Sequence, residues 1–259
     1  MSNFIAIFRA RWRKLHENVA NLQRSNEELT ARVGQLSHCI NAITGNPEYV
    51  SGLDTGFNGQ VIRKQVLESL HEMISFQTVL ETGTFTGNTS GYLAEVTGAP
   101  IYTAEVNLNF HNVSKSRLRK FPNIHFFNTD SRLFLRSLIG NQDINFPIFI
   151  YLDAHWLKDL PLREELALVC QNWPKSVVLV DDFAVPSDPD YGYDDYGPDK
   201  VLNVDHIRDE MKKYGLSAFF PNKKASEETG ARRGYIVLAS DAELIAKIEQ
   251  CPLLDKHNL

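Results

Sequence analysis

Short, wholly apolar runs alternate with segments of helical periodicity between residues 59 and 180, and this alternation most restricts what the chain can fold into. Strands buried on both faces read as continuous apolar runs, and helices between them supply the crossovers that parallel pairing needs. Val61, Ile62, Val66, Leu70, Met73 and Ile74 predict a helix before the first strand. A first strand opens the stretch 78–89, and further strands follow at 101–106, 124–128, 148–152 and 177–180, with helices at about 113–120, 131–138 and 162–173. The expected fold class is α/β, a doubly wound parallel sheet with right-handed crossovers. Two later runs, 218–220 and 235–238, are joined by a stretch too short for a helical crossover, so they predict an antiparallel hairpin at the sheet edge. A last helix at 241–248 leads into a frayed tail.

The first strand runs into a glycine turn, TVLETGTFTGNT at 78–89, where Asn88 or Thr89 can cap the next helix. Gly83 and Gly87 allow a tight bend and close approach of backbone to a ligand. Glu81 is the unusual residue. A turn built for a pyrophosphate attracts anions through its N–H groups, and a carboxylate there works against it. A ligand bearing an ammonium and a sulfonium suits Glu81 better, which favours S-adenosylmethionine (SAM) over a dinucleotide.

The carboxylates recur. Glu81, Glu105, Asp130 and Asp153 end successive strands, and Asp181 with Asp182 ends a fifth. In a parallel sheet these ends open into one crevice. Glu105 lies at about the spacing where an acidic group meets ribose hydroxyls. Asp130, followed by Ser131, can receive an adenine amino group or cap a helix, and the two roles are compatible. Asp153, Asp181 and Asp182 would repel one another unless a cation lies among them, and oxygen ligands suit Mg²⁺ or Ca²⁺. Two residues past Asp153 comes His155, readable as a general base, a metal ligand or a structural histidine. Trp156 beside it can wall a substrate or belong to the core. The loop at 187–200, rich in Asp, Tyr, Gly and Pro, is expected to overhang the crevice or to lie as a solvated surface loop.

Ahead of this domain (46–259) stands an arm, residues 1–45. Val19, Asn26, Val33 and Ile40 fall at heptad position a, and Leu15, Leu22, Leu29, Leu36 and Ile43 at d, with Phe8 and Trp12 on the same seam. Branched residues at a, Leu at d and one Asn at a favour two parallel strands. The pattern predicts a parallel dimeric coiled coil over 8–44 and a homodimer; an amphipathic helix folded on its own domain is the competing reading. Gly45, Asn46 and Pro47 end the helix. The aromatic and basic residues of 1–14 suit a membrane surface, although the apolar block precedes the charges and does not resemble a secretory leader.

Composition excludes several classes. A net charge of −5 argues against general nucleic-acid binding. No apolar run reaches the ~20 residues of a membrane span. Cys39, Cys170 and Cys251 lack metal-like spacing and point to a reducing, cytoplasmic setting.

Taken together, ETGTFTG, Glu105, TDS at 129–131, YLDAHW, VLVDDF and ARRGYIVLA resemble class I SAM-dependent methyltransferases over about 60–240. The aspartates look like those of metal-dependent O-methyltransferases of the catechol and macrocin types. The resemblance implies a Rossmann-like sheet of seven strands, the last inserted antiparallel between the fifth and sixth. It implies SAM as cofactor, with Glu81, Gly83, Thr84 and Gly87 around the methionine portion, Glu105 at the ribose, and Asp130 and Ser131 near adenine. It further implies Asp153, Asp181 and Asp182 around Mg²⁺, and a small hydroxylated acceptor (sugar, polyol or phenol). The macrocin-like group has an acidic base where this chain has His155, and many members have a glycine where it has Phe85. An NAD-dependent oxidoreductase and a non-catalytic, coiled-coil-dimerised scaffold are the rival readings.

Overall fold

A computed structural model describes residues 52–155, 159–197 and 199–257, together with arm positions 12, 14, 18, 19, 22, 26, 29, 30, 33, 34, 37 and 40. The chain divides into two compact units, Met1–Asn46 and Pro47–Leu259. In the first unit every described position is helical. Val19, Leu22, Leu29, Val33 and Ile40 of the heptad seam stand exposed by 45 to 70% in the single chain. The expected stop at Gly45–Pro47 lies outside the described residues.

The described residues of the second unit form one sheet of order β3-β2-β1-β4-β5-β7-β6-β8. β1 (Thr78–Thr82), β2 (Ile101–Ala104), β3 (Ile124–Phe127), β4 (Ile148–Leu152) and β5 (Ser176–Val180) run parallel. β7 (Ile236–Ala239) lies antiparallel between β5 and β6 (Ser217–Pro221). β1, β4 and β5 are buried at every position, which is why they read as unbroken apolar runs.

Helices cover both faces. α1 (Val61–Ile74), α2 (Asn88–Thr97) and α7 (Ala242–Ile248) pack on one core, with Leu67, Leu70, Leu93 and Ile248 against Val79, Phe149 and Tyr151. α4 (Ser131–Leu138), α5 (Leu162–Asn172) and α6 (Val204–Tyr214) pack on the other, with Phe134, Leu166 and Ile207 against Leu80, Ile150 and Val178. β4 alternates between them, Ile148, Ile150 and Leu152 facing one core and Phe149 and Tyr151 the other. α3 (Leu108–Arg117) follows β2 and begins earlier than its apolar pattern suggests, because Asn107 caps it by accepting the N–H groups of Asn109 and Phe110. No helix among the described residues is long and apolar enough to cross a membrane.

Two expectations need correction. The sheet has eight described strands, not seven: β8 (Leu254–His257) pairs antiparallel with β6, so the tail is a strand and the β6–β7 pair is interior rather than the edge. Cys251 and Leu254 anchor it by burial. α6 was also absent from the sequence reading. It buries only Ile207 and Met211, too sparse a stripe to stand out beside the turn-rich loop before it.

Candidate active site

The crevice lies where β2 and β4 flank β1, the point at which the strand order reverses. Gly83, at φ +86°, makes this junction possible: a Cβ there would stand 2.1 Å from the Asp153 carbonyl oxygen. The ends of β1 and β4 therefore touch through backbone, which sets the two halves of the crevice side by side. Gly87 (φ +83°) begins α2, and a Cβ there would come within 2.7 Å of Leu118 Cδ1.

Glu81 is fully buried at the glycine turn. Its Oε2 accepts hydrogen bonds from Ser90 Oγ and, at 2.6 Å, from Thr103 Oγ1. Its Oε1 is buried with no hydrogen-bond partner among the described residues. Burial pushes the Glu81 carboxyl up to about 7, with the two hydroxyl hydrogen bonds pulling the other way. Glu105 accepts the N–H of Asn107 and that of Phe85, each at 2.8 Å, and so ties β2 to the turn. Thr84 turns its hydroxyl inward, 2.5 Å from Thr103 Oγ1, and serves the turn itself. Asp130 caps α4 through the N–H groups of Arg132 and Leu133, and the Arg132 guanidinium holds it below the usual carboxylate range. Ser131, beside it, is buried.

Across the Gly83 contact, Asp153, His155 and Asp182 converge, each offering a ligand atom within 4.8 Å of the others. His155 Nε2 lies 3.7 Å from Asp153 Oδ1 and 3.8 Å from Asp182 Oδ2. It is buried with no hydrogen-bond partner among the described residues. Burial next to Asp181 and Asp182 holds Asp153 well above the carboxylate range. Burial pushes Asp182 upward too, but its neighbours His155 and Arg233 bring it out below the usual value.

Asp181 does not join them, contrary to the expected trio. Asp182 sits at φ +51°, which turns the chain at the end of β5 and separates the two side chains. Asp181 is fully buried, with Oδ1 paired to the equally buried Arg63 and Oδ2 accepting from Tyr151 Oη and Asn58 Nδ2. Arg63 also reaches the carbonyls of Arg233 and Gly234 and lies 4.7 Å from the centre of the Tyr235 ring.

The sequence reading missed four residues. Asp194, from the overhanging loop, brings Oδ2 to 3.9 Å from His155 Nε2. Arg233 bonds both Asp182 and Asp194. Neither has a local signal, since both arrive through tertiary structure. Arg63 and Glu165 had one: each is a charged residue on the inward stripe of its helix, beside Val66 and Leu67 or Leu162 and Leu166. Glu165 is held above its usual range by burial, and the hydroxyls of Ser131 and Thr82 and nearby His155 oppose the shift. Trp156 lies outside the described residues.

At the level of sequence, no protein-family model and no curated protein matches the chain. Solved structures do match. The O-methyltransferase TomG from Streptomyces achromogenes, involved in tomaymycin synthesis and solved with SAM, is 19% identical over 70% of this chain and 80% of that one, with a TM-score of 0.51. An O-methyltransferase from Bacillus cereus, solved with SAH, is 15% identical over 79% of this chain and 91% of that one, also with a TM-score of 0.51. At these identities the likeness is one of fold: the second unit has the α/β architecture of the SAM-dependent O-methyltransferases.

Proposed function

We propose that the chain is a SAM-dependent methyltransferase that methylates an oxygen of a small hydroxylated acceptor, a sugar, polyol or phenol, with the help of Mg²⁺. The observation that carries the proposal is the contact at Gly83. It joins a turn bearing a buried carboxylate to a cluster of carboxylates around a buried nitrogen, and the Glu81 Oε1 and His155 Nε2 atoms have no hydrogen-bond partner among the described residues. A dinucleotide has no use for the first, and a scaffold has no use for either.

The residues fit both absent groups. The Glu81 Oε1 orphan suits an ammonium, and Gly83 and Gly87 let the turn pack tightly against the Asp153 backbone and Leu118, which shapes the place a ligand would take. Glu105, Asp130 and Ser131 would hold the nucleoside. Asp153 and Asp182 would hold the cation, an oxygen set suited to Mg²⁺. SAM would supply an electrophilic methyl group, and the cation would supply positive charge beside the acceptor oxygen. The chain's own part is positioning and proton movement. His155 Nε2, within 4 Å of the two aspartate oxygens, takes the hydroxyl proton. The β1–β4 contact holds the glycine turn beside the Asp153 segment and would so bring the two reactants together.

A second reading of His155 rests on the same distances. Nε2 can itself be a ligand, and a nitrogen in the set would favour a transition-metal dication over Mg²⁺. The exposed heptad seam supports a homodimer through a parallel coiled coil, residues 1–14 could add contact with a membrane surface, and free Cys170 and Cys251 fit a cytoplasmic protein.

The test is calorimetry with S-adenosylhomocysteine, NAD alongside, each with and without Mg²⁺. Micromolar binding of S-adenosylhomocysteine alone is expected. Binding of NAD instead would favour the oxidoreductase, and binding of neither the scaffold.

A further inference from the structure

Resting on the divalent site proposed above, we infer that Asp194 is its third carboxylate ligand, in the place Asp181 cannot take, and that Arg233 is a built-in cation displaced by the metal. Asp194 Oδ2 lies 3.9 Å from His155 Nε2, against 3.7 Å for Asp153 and 3.8 Å for Asp182. Three carboxylates thus surround one buried nitrogen that has no hydrogen-bond partner among the described residues.

The loop brings Asp194 there through its backbone. The Asp194 N–H donates to the Asp182 carbonyl at 2.9 Å, and the Leu202 N–H to the Asp194 carbonyl at 3.0 Å. Gly192 is tied in turn to Arg232 and Gly234 at 3.0 and 2.7 Å. None of these bonds involves the Arg233 side chain, so Asp194 stays in place when that side chain leaves. Tyr196 Oη donates to Asp194 Oδ2 and leaves Oδ1 to Arg233.

Arg233 is anchored by its backbone, its N–H donating to Gln60 Oε1 at 2.8 Å and its carbonyl accepting from Gln60 Nε2 at 2.9 Å. Its guanidinium spans Asp182 Oδ1 and Asp194 Oδ1, and its side chain is 26% exposed with a path to solvent. One positive charge among three carboxylates is a partial match. A dication is a better one, and departure of the guanidinium frees Oδ1 of Asp182 and Oδ1 of Asp194.

The experiment titrates full-length protein with Mn²⁺, followed by electron paramagnetic resonance, with S-adenosylhomocysteine binding measured in parallel as the fold check. Asp194→Asn is expected to weaken Mn²⁺ about tenfold or more, with nucleoside binding unchanged and exposed Asp195→Asn like wild type. Arg233→Gln is expected to tighten Mn²⁺ severalfold, because a competing cation is gone. Unaltered affinity in Asp194→Asn, or weakened affinity in Arg233→Gln, overturns the inference and leaves the divalent site standing. Wild type that takes S-adenosylhomocysteine but no Mn²⁺ overturns both the inference and the metal reading. Should Asp194→Asn fail the fold check, hydrogen exchange in the wild-type loop decides: Mn²⁺ is expected to slow amides 192–196, and unchanged exchange overturns the proposal.

Discussion

Glu81 is a carboxyl group without solvent, with two hydroxyl donors on one oxygen and, among the described residues, none on the other. Its folded-state value of about 7 lies above that of an unfolded chain, so its contribution to stability is present in full at low pH and is lost as pH rises through 7. The penalty at pH 8 is on the order of 3 kcal/mol. Glu81→Gln should flatten the fall in stability between pH 5 and 8, measured by urea unfolding, and saturating S-adenosylhomocysteine should flatten it in wild type by pairing its ammonium with the carboxylate. At His155 the prediction separates two chemistries. As a base, His155→Gln should lower kcat by about 10²- to 10⁴-fold while Mn²⁺ affinity stays within twofold, and a loss of metal affinity would make it a ligand. Much of this site was legible because the acidic residues fall at strand ends, where the topology gathers them. The choice between Asp181 and Asp182 was not. The two are chemically identical neighbours, and a positive φ together with Arg63, 118 residues away, decides which one faces the crevice.

Elements were legible in proportion to their burial. β4 and β5 are buried throughout and were readable to within a residue, whereas β8 buries only Leu254, leaves Asp255 and Lys256 exposed, and pairs along β6. The same contrast holds for glycines, whose sequence signal is alike and whose surroundings differ. Gly83 and Gly98 both have positive φ, but a Cβ at Gly83 would overlap the Asp153 carbonyl while one at Gly98 meets nothing within 4 Å. Gly98→Ala should cost only about 1 kcal/mol. Gly83→Ala should cost at least about 3 kcal/mol through overlap plus backbone strain and should also abolish S-adenosylhomocysteine binding, with thermal unfolding and calorimetry as the measurements. Equal costs at the two positions would mean that the β1–β4 contact is not a constraint.

For the whole molecule, the proposed parallel coiled coil would cover the exposed seam of the arm with the matching heptads of a second copy. Sedimentation equilibrium should give a dimer, and the double substitution Leu22→Glu with Leu29→Glu should give a monomer that still binds S-adenosylhomocysteine. A monomeric wild type would return the arm to the folded-back reading. The buried Arg63–Asp181 pair has a different consequence, for how the gene can be cut. A recombinant fragment starting just before Thr78 would keep every described strand and every carboxylate of the crevice, and an inspection of the sheet would call it whole. It would also lose α1, with buried Leu67 and Leu70, and leave Asp181 without its counter-ion, a loss that by itself costs about 3–5 kcal/mol. The minimal expressible piece of this protein therefore begins upstream of the sheet, and truncations or circular permutations that keep α1 with its Arg63 should be the ones that fold.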